Sequence, residues 1–543
     1  VKTPLRRRDL LLGAAAGAAG LVVLVPATGL ARRPGGSPPP SGTPVRFEHG
    51  VASGDPLPDG ILLWTRVTPA AEPSGRLEVQ WQLASDRRFH HVLAEGVTAT
   101  DATRDFTVKV DVRGLPAGRT LYYRFRAGGA ASPTGRTRTA PRGGQGRLRF
   151  AVVSCSSLAH GHFHVYRSLA ARRDLDAVLH LGDYIYEYAT GEYGAVRAYE
   201  PAHEIVSLAD YRARHAQYKR DPDLQAAHRQ HPFVTVWDDH ESANDAWSGG
   251  AENHQPGEGA WEERKAAAAR AYSEWMPIRD SASGAIHRVL HFGDLADVVM
   301  LDTRIAGRDR QVLGARDPRL ADPSRSLLGP AQEAWLEERL AGSRATWKLL
   351  GQQVMMAQLP LPGGNLNVDA WDGYPAARAR LYQALRRDRV EDVAVLTGDI
   401  HTSWAAELTE NPWNPAAYDP ATGRGALAVE FVTPAVTSPG LSGDQSATER
   451  ALLAGARHLK YVNLTRRGYV VLDVTRERLQ AAWFHLDDVV NATATESFAA
   501  AFAVARGTSR LVREEAPAAG LTAEAADVEE AEEADAADAA VAG

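Results

Sequence analysis

Apolar positions change their spacing along the chain. Between residues 45 and 141, short stretches such as 60–66, 77–83, 106–112 and 120–126 alternate or run rich in β-branched and aromatic residues, with Gly, Pro and Asp turns between them. That pattern predicts an all-β sandwich of about 100 residues. From about residue 148 the pattern switches to short apolar runs interleaved with amphipathic segments at 163–172, 208–219, 261–275 and 330–340, which predict helices. Buried strands are expected at 149–154, 178–181, 233–237 and 393–397, and further strands at 285–292, 297–301, 347–353, 426–433 and 469–474. The predicted class is α+β: a sandwich over 45–141, then a four-layer αββα domain over 148–510 with helices outside two sheets. The sandwich is expected to support the larger domain rather than to bind a ligand of its own.

Four of these strands end alike. The run at 149–154 ends at Cys155, and 178–181 runs into Gly182-Asp183-Tyr-Ile-Tyr186. The run at 233–237 meets Asp238-Asp239-His240-Glu241, with Asn244-Asp245 just beyond, and 393–397 meets Gly398-Asp399-Ile-His401. Open α/β sheets place their ligand sites at the carboxyl ends of strands, and Gly182 permits the sharp turn that such an ending needs. One such ending is compatible with a turn or a helix cap. Four together describe a binuclear metal centre. Cys155, Tyr186 and His401 offer a thiolate, a phenolate and an imidazole, and the first two bind only after losing protons, which favours a strongly polarising ion such as ferric iron. Asp239 and Asp399, with Asn244 or Asp238 as additions, offer oxygen only and suit calcium before magnesium or manganese. Asp183 stands between the two sets as a bridge. Two ions about 4 Å apart can clamp a phosphoryl group.

Composition narrows the setting. The 543 residues are enough for two or three domains, and the single Cys155 excludes an intramolecular disulfide. Arg6-Arg7-Arg8-Asp9-Leu10-Leu11, an apolar run to about Val25 and Gly29-Leu30-Ala31 read as a twin-arginine export signal over 1–31 with cleavage after Ala31. An uncleaved anchor is the alternative. The twin-arginine translocation machinery is therefore an expected partner, and it carries folded, cofactor-loaded chains to a secreted, extracytoplasmic or cell-wall destination. Residues 32–44 are rich in Pro, Gly and Ser and read as a linker. Ten acids and no bases from Glu514 onward make 514–543 an acidic low-complexity tail and account for the formal net charge of −6. No nucleic-acid-binding motif or basic patch stands out, and a monomer is expected.

The order of these motifs resembles the alkaline phosphatase D (PhoD) family. Supporting marks are His49-Gly-Val-Ala-Ser-Gly-Asp55, Leu63-Trp-Thr-Arg66, Leu301-Asp-Thr-Arg304 and Trp371-Asp-Gly-Tyr-Pro375, so the likeness covers nearly all of the chain beyond the leader. In the first domain, 115–123 resembles the late strands of fibronectin type III modules, which makes the sandwich fibronectin III-like. The resemblance implies a calcineurin-like fold related to purple acid phosphatases and a secreted phosphomonoesterase or phosphodiesterase. It places Fe(3+) on Cys155, Asp183, Tyr186 and His401. It places Ca(2+) on Asp183, Asp239 and Asp399 with Asn244 or Asp238, and Mn(2+) or Mg(2+) are possible substitutes. The implied reaction is in-line attack of a metal-bound hydroxide on a small-molecule or polymeric phosphate ester, without a phosphoserine. A phospholipase D-type phosphodiesterase on the same metals is the alternative, and a non-enzymatic surface-binding protein is a third possibility. His240 is the candidate catalytic residue, protonating or orienting the leaving oxygen, or else a histidine bonded to a carboxylate. Arg304 and Trp404 are candidate substrate contacts. His160, His162 and His164 are spaced as loop histidines in solvent, with the cleft as the alternative.

Overall fold

The computed structural model describes residues 21–23, 43–71, 73, 75–360 and 367–520. Most of the expected leader and linker, and the tail beyond 520, therefore lie outside the described residues. The short apolar runs become strands because their neighbours in the sheet bury both faces. Pro232–Thr235, Ala177–His180 and Arg147–Val153 are buried almost throughout and pair in parallel at the centre of an eleven-stranded sheet. Beyond Arg147–Val153 come Arg467–Thr475, Arg478–Leu486, Glu496–Ala505 and Leu511–Glu514, all antiparallel. A seven-stranded sheet, in the order Arg288–Phe292, Ala296–Met300, Trp347–Gly351, Val393–Thr397, Ala426–Val432, Ser403–Thr409, Leu459–Asn463, packs against it. Phe150 meets Phe292 edge to face at 4.8 Å, and Trp483 meets Phe431 at 5.9 Å, so a single apolar core fills the space between the sheets.

Helices cover the outer faces. Leu208–Lys219 is closed at its start by a capping box between Ser207 and Asp210, and Pro222–Gln230 starts on an Asp221 cap with Pro in its first turn. With His164–Ala171 and Trp261–Trp275 they lie on the first sheet, contributing Tyr211, Tyr218, Leu224 and Ala268 to the core between them. Pro330–Gly342 and Pro375–Arg387 cover the second sheet through Leu336, Leu340, Leu381 and Leu385. The fold is thus α+β with helix, sheet, sheet and helix in layers. No helix among the described residues is long and apolar enough to cross a membrane.

The N-terminal region is welded to this body rather than appended to it. Its strand Val51–Leu57 pairs in parallel with Pro232–Thr235, and Gly60–Arg66 and Thr107–Arg113 follow antiparallel, so half of the N-terminal sandwich is an extension of the large sheet. Leu21–Val23 lies in parallel beside 110–112 at its outer edge. The other half is a separate five-stranded sheet that includes Leu77–Ala84, Val92–Thr100 and Thr120–Ala127. The weld explains two sequence motifs. Trp64 packs on Trp275 at 5.8 Å and donates its indole N–H to the Glu274 carbonyl at 2.8 Å. Asp55 holds Arg288 at 2.5 Å and accepts the Arg279 N–H at 2.8 Å, while Lys109 reaches Asp280 at 2.6 Å. At the far end the ordered structure runs past residue 510: the last strand ends at Glu514, and the Ala519 and Gly520 carbonyls accept from Arg149.

Gly54 sits where the two parts meet. A Cβ there would lie 1.9 Å from the Pro277 carbonyl oxygen and 2.8 Å from that of Phe233, both of them backbone. Gly54→Val is expected to lower stability by roughly 3 kcal/mol, as overpacking at a backbone contact does. Gly75→Ala, which meets nothing within 4 Å, should change it by less than about 0.5 kcal/mol. Urea midpoints of the two variants check this, and equal midpoints would remove the argument for a tight weld.

Candidate metal centre

The four strand endings converge at one edge of the sandwich, and three of them turn through left-handed backbone. Cys155, Asp183, Asp399 and His401 all have φ between 53° and 62°, the left-handed region that side chains beyond Gly seldom adopt. Such strain persists where the surroundings over-determine it, and here it aims four candidate ligands at one point. The glycines make room. A Cβ on Gly182, at φ 106°, would come within 2.4 Å of the Asp238 backbone nitrogen, and one on Gly398 would lie 2.7 Å from Ser154 Oγ.

Glu241 locks the endings together. Its buried carboxylate accepts the backbone N–H groups of Asp183 at 3.0 Å, Tyr184 at 2.6 Å and Asp238 at 2.7 Å. Burial and the nearby Asp183 charge push Glu241 up to about 8, and the three donors pull in the other direction. Glu187, also buried, accepts from His240 Nδ1 at 2.7 Å, from the Asn244 N–H at 2.7 Å and from Asn253 Nδ2 at 2.8 Å. These two glutamates were not singled out by sequence as organisers. Glu241 was visible only as the last letter of Asp-Asp-His-Glu.

Three overlapping sets of donors result. The Cys155 sulfur, an Asp183 oxygen and a His401 nitrogen lie within 4.8 Å of one another, as do donors of Asp183, Asp239 and His240, and donors of Asp238, Asp239 and Asp399. The Tyr186 hydroxyl joins the first set, donating to Asp183 Oδ2 at 2.9 Å and lying 3.3 Å from His401 Nε2 and 2.6 Å from Ser438 Oγ. Asp183 is common to the first two sets, the position of a bridge. The chemistry of the set fits cations. Burial and the Asp183 charge push the Cys155 thiol and the Tyr186 phenol well up, and burial also pushes up Asp238, Asp239 and Asp399 although Arg304 opposes it. Asp183 Oδ1 and Asp238 Oδ2 are buried without a hydrogen-bond partner. Buried anionic donors that lack partners call for a positive charge among them.

Arg304 is the one guanidinium inside this cluster, and it is fully buried. It pairs with Asp238, with Asp369 at 2.6 Å, with Asp399 at 2.6 Å and with Asp239 at 3.5 Å. The expected substrate contact is therefore a counter-charge of the carboxylates. Asp369, which also pairs with Arg308, was not foreseen; it lies two residues before the Trp371-Asp-Gly-Tyr-Pro375 motif. Trp404 is buried in the core of the second sheet with its indole N–H on Thr402 Oγ1 at 2.6 Å. The Asn244 carboxamide donates outward to Glu252 at 3.1 Å. His240 stacks on Tyr186 at 4.2 Å, holds Glu187 through Nδ1, and has a ring nitrogen within 4.8 Å of Asp183 and Asp239 donors. Of the three loop histidines, His164 begins a helix and is buried, and His160 is partly buried with Nδ1 2.8 Å from Ser157 Oγ.

Glu241→Ala leaves three buried N–H donors without an acceptor. The expected loss is roughly 3 kcal/mol of stability, read from urea midpoints, together with weaker metal retention. A loss below about 0.5 kcal/mol would show that the carboxylate does not hold the strand ends.

The family profile described as "PhoD-like phosphatase" matches residues 150–483, and "PhoD-like phosphatase, N-terminal domain" matches residues 34–141. The chain is 36% identical over 478 residues to alkaline phosphatase D of Bacillus subtilis (strain 168), covering 84% of this chain and 80% of that protein. A solved structure described as "Structure of PhoD" superposes with a TM-score of 0.81 at 35% identity, covering 89% of this chain and 95% of the other. With the strand-end donors in place and both domains matched, the chain belongs to the PhoD-like phosphatase family and is a phosphoric ester hydrolase.

Proposed function

We propose that this chain is an exported, metal-dependent alkaline phosphatase with phosphodiesterase capacity, working at a binuclear iron and calcium centre. The observation that carries the reading is the sharing of Asp183. One of its neighbours is a sulfur, phenol and imidazole set, Cys155, Tyr186 and His401, and on the other side stand carboxylates. A thiol and a phenol that must lose protons to bind, beside an imidazole, suit the strongly polarising Fe(3+), and oxygen donors from Asp183, Asp239 and Asp399, with Asp238 ahead of Asn244, suit Ca(2+). When bound, such a pair would clamp the phosphoryl oxygens and acidify a water for in-line attack. The substrate class is a small-molecule or polymeric phosphate ester, and the working unit is a monomer. The leader read over 1–31 supports export through the twin-arginine machinery, and cell fractionation after replacing Arg6, Arg7 and Arg8 by lysine reads that part.

The chain's own residues supply the rest of the reaction. His240 carries the proton. With Asp183 and Asp239 free of cations, burial opposes its charge while Glu187, Asp183 and Asp239 hold it above the usual histidine range; once cations neutralise the two aspartates, the Glu187 carboxylate on Nδ1 is the partner that still favours a protonated ring. Glu187 on Nδ1 fixes the ring so that Nε2 can give its proton to the leaving oxygen. The serines near Cys155 have other duties. Ser154 Oγ accepts from the Cys155 thiol at 3.1 Å, Ser156 Oγ is 2.6 Å from the Tyr166 hydroxyl, and Ser157 Oγ holds His160. Ser154 and Ser156 face a thiol and a phenol rather than a base, and Ser157 shares its hydroxyl between His160 and the Tyr199 hydroxyl at 3.1 Å, so direct attack with inversion at phosphorus is the proposed route.

Cys155→Ser should lose iron and its visible absorption, measured by elemental analysis and spectroscopy, and fall by at least about a hundredfold in kcat. Mild chelation of the unsubstituted protein should remove calcium and turnover while iron stays, because an oxygen-only site exchanges its ion faster than a thiolate and phenolate site. Full iron in the variant, or equal loss of both ions, would overturn the assignment. His240→Asn should slow esters of poorly acidic alcohols by about 10²-fold or more and nitrophenyl esters far less, since only the former need a proton. A uniform slowing across both classes would show that His240 does not act as the acid.

A further inference from the structure

Arg304 is committed to carboxylates and is not free to hold an anionic group of the substrate beyond the phosphoryl that the metals would clamp. Arg467 has the position. It begins the strand Arg467–Thr475, and the next residue, Gly468, donates its N–H to the Ala435 carbonyl at 3.0 Å. The segment after Ala435 borders the thiolate end of the site. Thr437 and Ser438 donate N–H groups to the Cys155 carbonyl at 3.3 and 3.2 Å, Ser438 Oγ meets the Tyr186 hydroxyl, and the Pro439 carbonyl lies 3.2 Å from His401 Nδ1. Among the described residues Arg467 has no carboxylate partner. Its Nη1 donates to the Thr465 carbonyl at 2.6 Å, and its buried Nε has no acceptor. Burial pushes this guanidinium below its usual value, a cost that an incoming anion would remove.

An aromatic wall stands on the same side of the centre, built on the Tyr186 ring whose hydroxyl meets Ser438. Tyr193 is partly buried and lies nearly parallel to Tyr186, 20° between planes at 5.5 Å, and it touches Tyr188 at 5.0 Å and His160 edge-on at 4.5 Å. His160 is held down to about 4, chiefly by burial, so the wall is uncharged at neutral pH. Planar groups stack on such rings, and a guanidinium grips phosphate through two parallel N–H donors.

We propose that Arg467 and Tyr193 form a leaving-group subsite on the His401 side of the centre, selecting phosphate esters whose leaving alcohol is planar and carries a second phosphate. The subsite rests on the reading of the centre as a metal-dependent phosphatase. Tyr193 holds the ring of the alcohol, and Arg467 holds its second phosphate while the first is attacked.

Steady-state kinetics with the metal-loaded full chain on adenosine 5′-monophosphate and adenosine 3′,5′-bisphosphate test it, because the leaving alcohol is neutral in one and anionic in the other. Arg467→Ala should raise KM for the bisphosphate about tenfold, at least three times its effect on the monophosphate, with kcat moving less than KM. Arg467→Lys should recover part of the loss as a point charge. Tyr193→Ala should raise KM for both nucleotides more than for glycerol phosphate, which has no ring to stack. Thermal midpoints of the three variants within a few degrees of the parent separate this from unfolding, and Arg467→Lys serves as the reading if Arg467→Ala unfolds. Equal KM changes on the two nucleotides, or changes confined to kcat, would overturn the subsite alone. Failure of the parent chain to hydrolyse either nucleotide would overturn the subsite together with the function on which it rests.

Discussion

Buried negative charge at the strand ends is the constraint on which the rest of the molecule depends. Asp183, Asp238, Asp239, Asp369 and Asp399 are gathered where a single fully buried guanidinium, Arg304, pairs with four of them. Carboxylates brought this close are costly without compensation, and Arg304 with Arg308, which pairs with Asp369, supply two positive charges against five carboxylates. The deficit is a structural reason for cations at this place, independent of any likeness to other proteins. It also explains the rigid frame: unless Glu241 and Glu187 fix the loops by hydrogen bonds, repulsion would splay the strand ends.

The same requirement accounts for the strained backbone. Cys155, Asp183, Asp399 and His401 sit in the left-handed region at three turns, Asp399 and His401 sharing one, and each turn follows a strand whose own pairing holds it. Strand ladders and the double core supply the rigidity, and the turns convert it into ligand placement. The N-terminal strands add to that rigidity. Because Val51–Leu57 continues the large sheet beside Pro232–Thr235, the strand that presents Asp238 and Asp239 is an interior strand with neighbours on both sides rather than an edge. An edge strand would be freer to twist, and a shift of an ångström at Asp239 would disturb the donor sets.

Much of this was legible along the chain. Alternation and short apolar runs located the sandwich strands and the core strands, because a period of two or a continuous apolar run is a local signal that burial in a sheet produces directly. The order of Cys155, Asp183, Tyr186, Asp239, Asp399 and His401 at strand ends named the donors and the family, since ligand type is a property of the side chain and needs no partner to be recognised. Helices such as Leu208–Lys219, with its Ser207 and Asp210 capping box, and Trp261–Trp275 were equally clear, because the signals lie within the segment.

What the tertiary structure alone decided was the use of charged and polar residues whose partners are far away in sequence. Arg304 was a plausible phosphate contact until folding set it against Asp238, 66 residues before it, and Asp399, 95 residues after it. Trp404 and Asn244 had suitable chemistry near the right motifs, but the side chains turn to Thr402 and Glu252. Glu241 gained its role from three backbone N–H groups that only converge once the strands are side by side. Even the N-terminal sandwich, complete in its local pattern, gave no sign that one of its sheets would run on into the catalytic domain. Side-chain type and local period are written into a segment, whereas counter-charge, clamp and sheet continuity are relations between segments that exist only after the chain has folded.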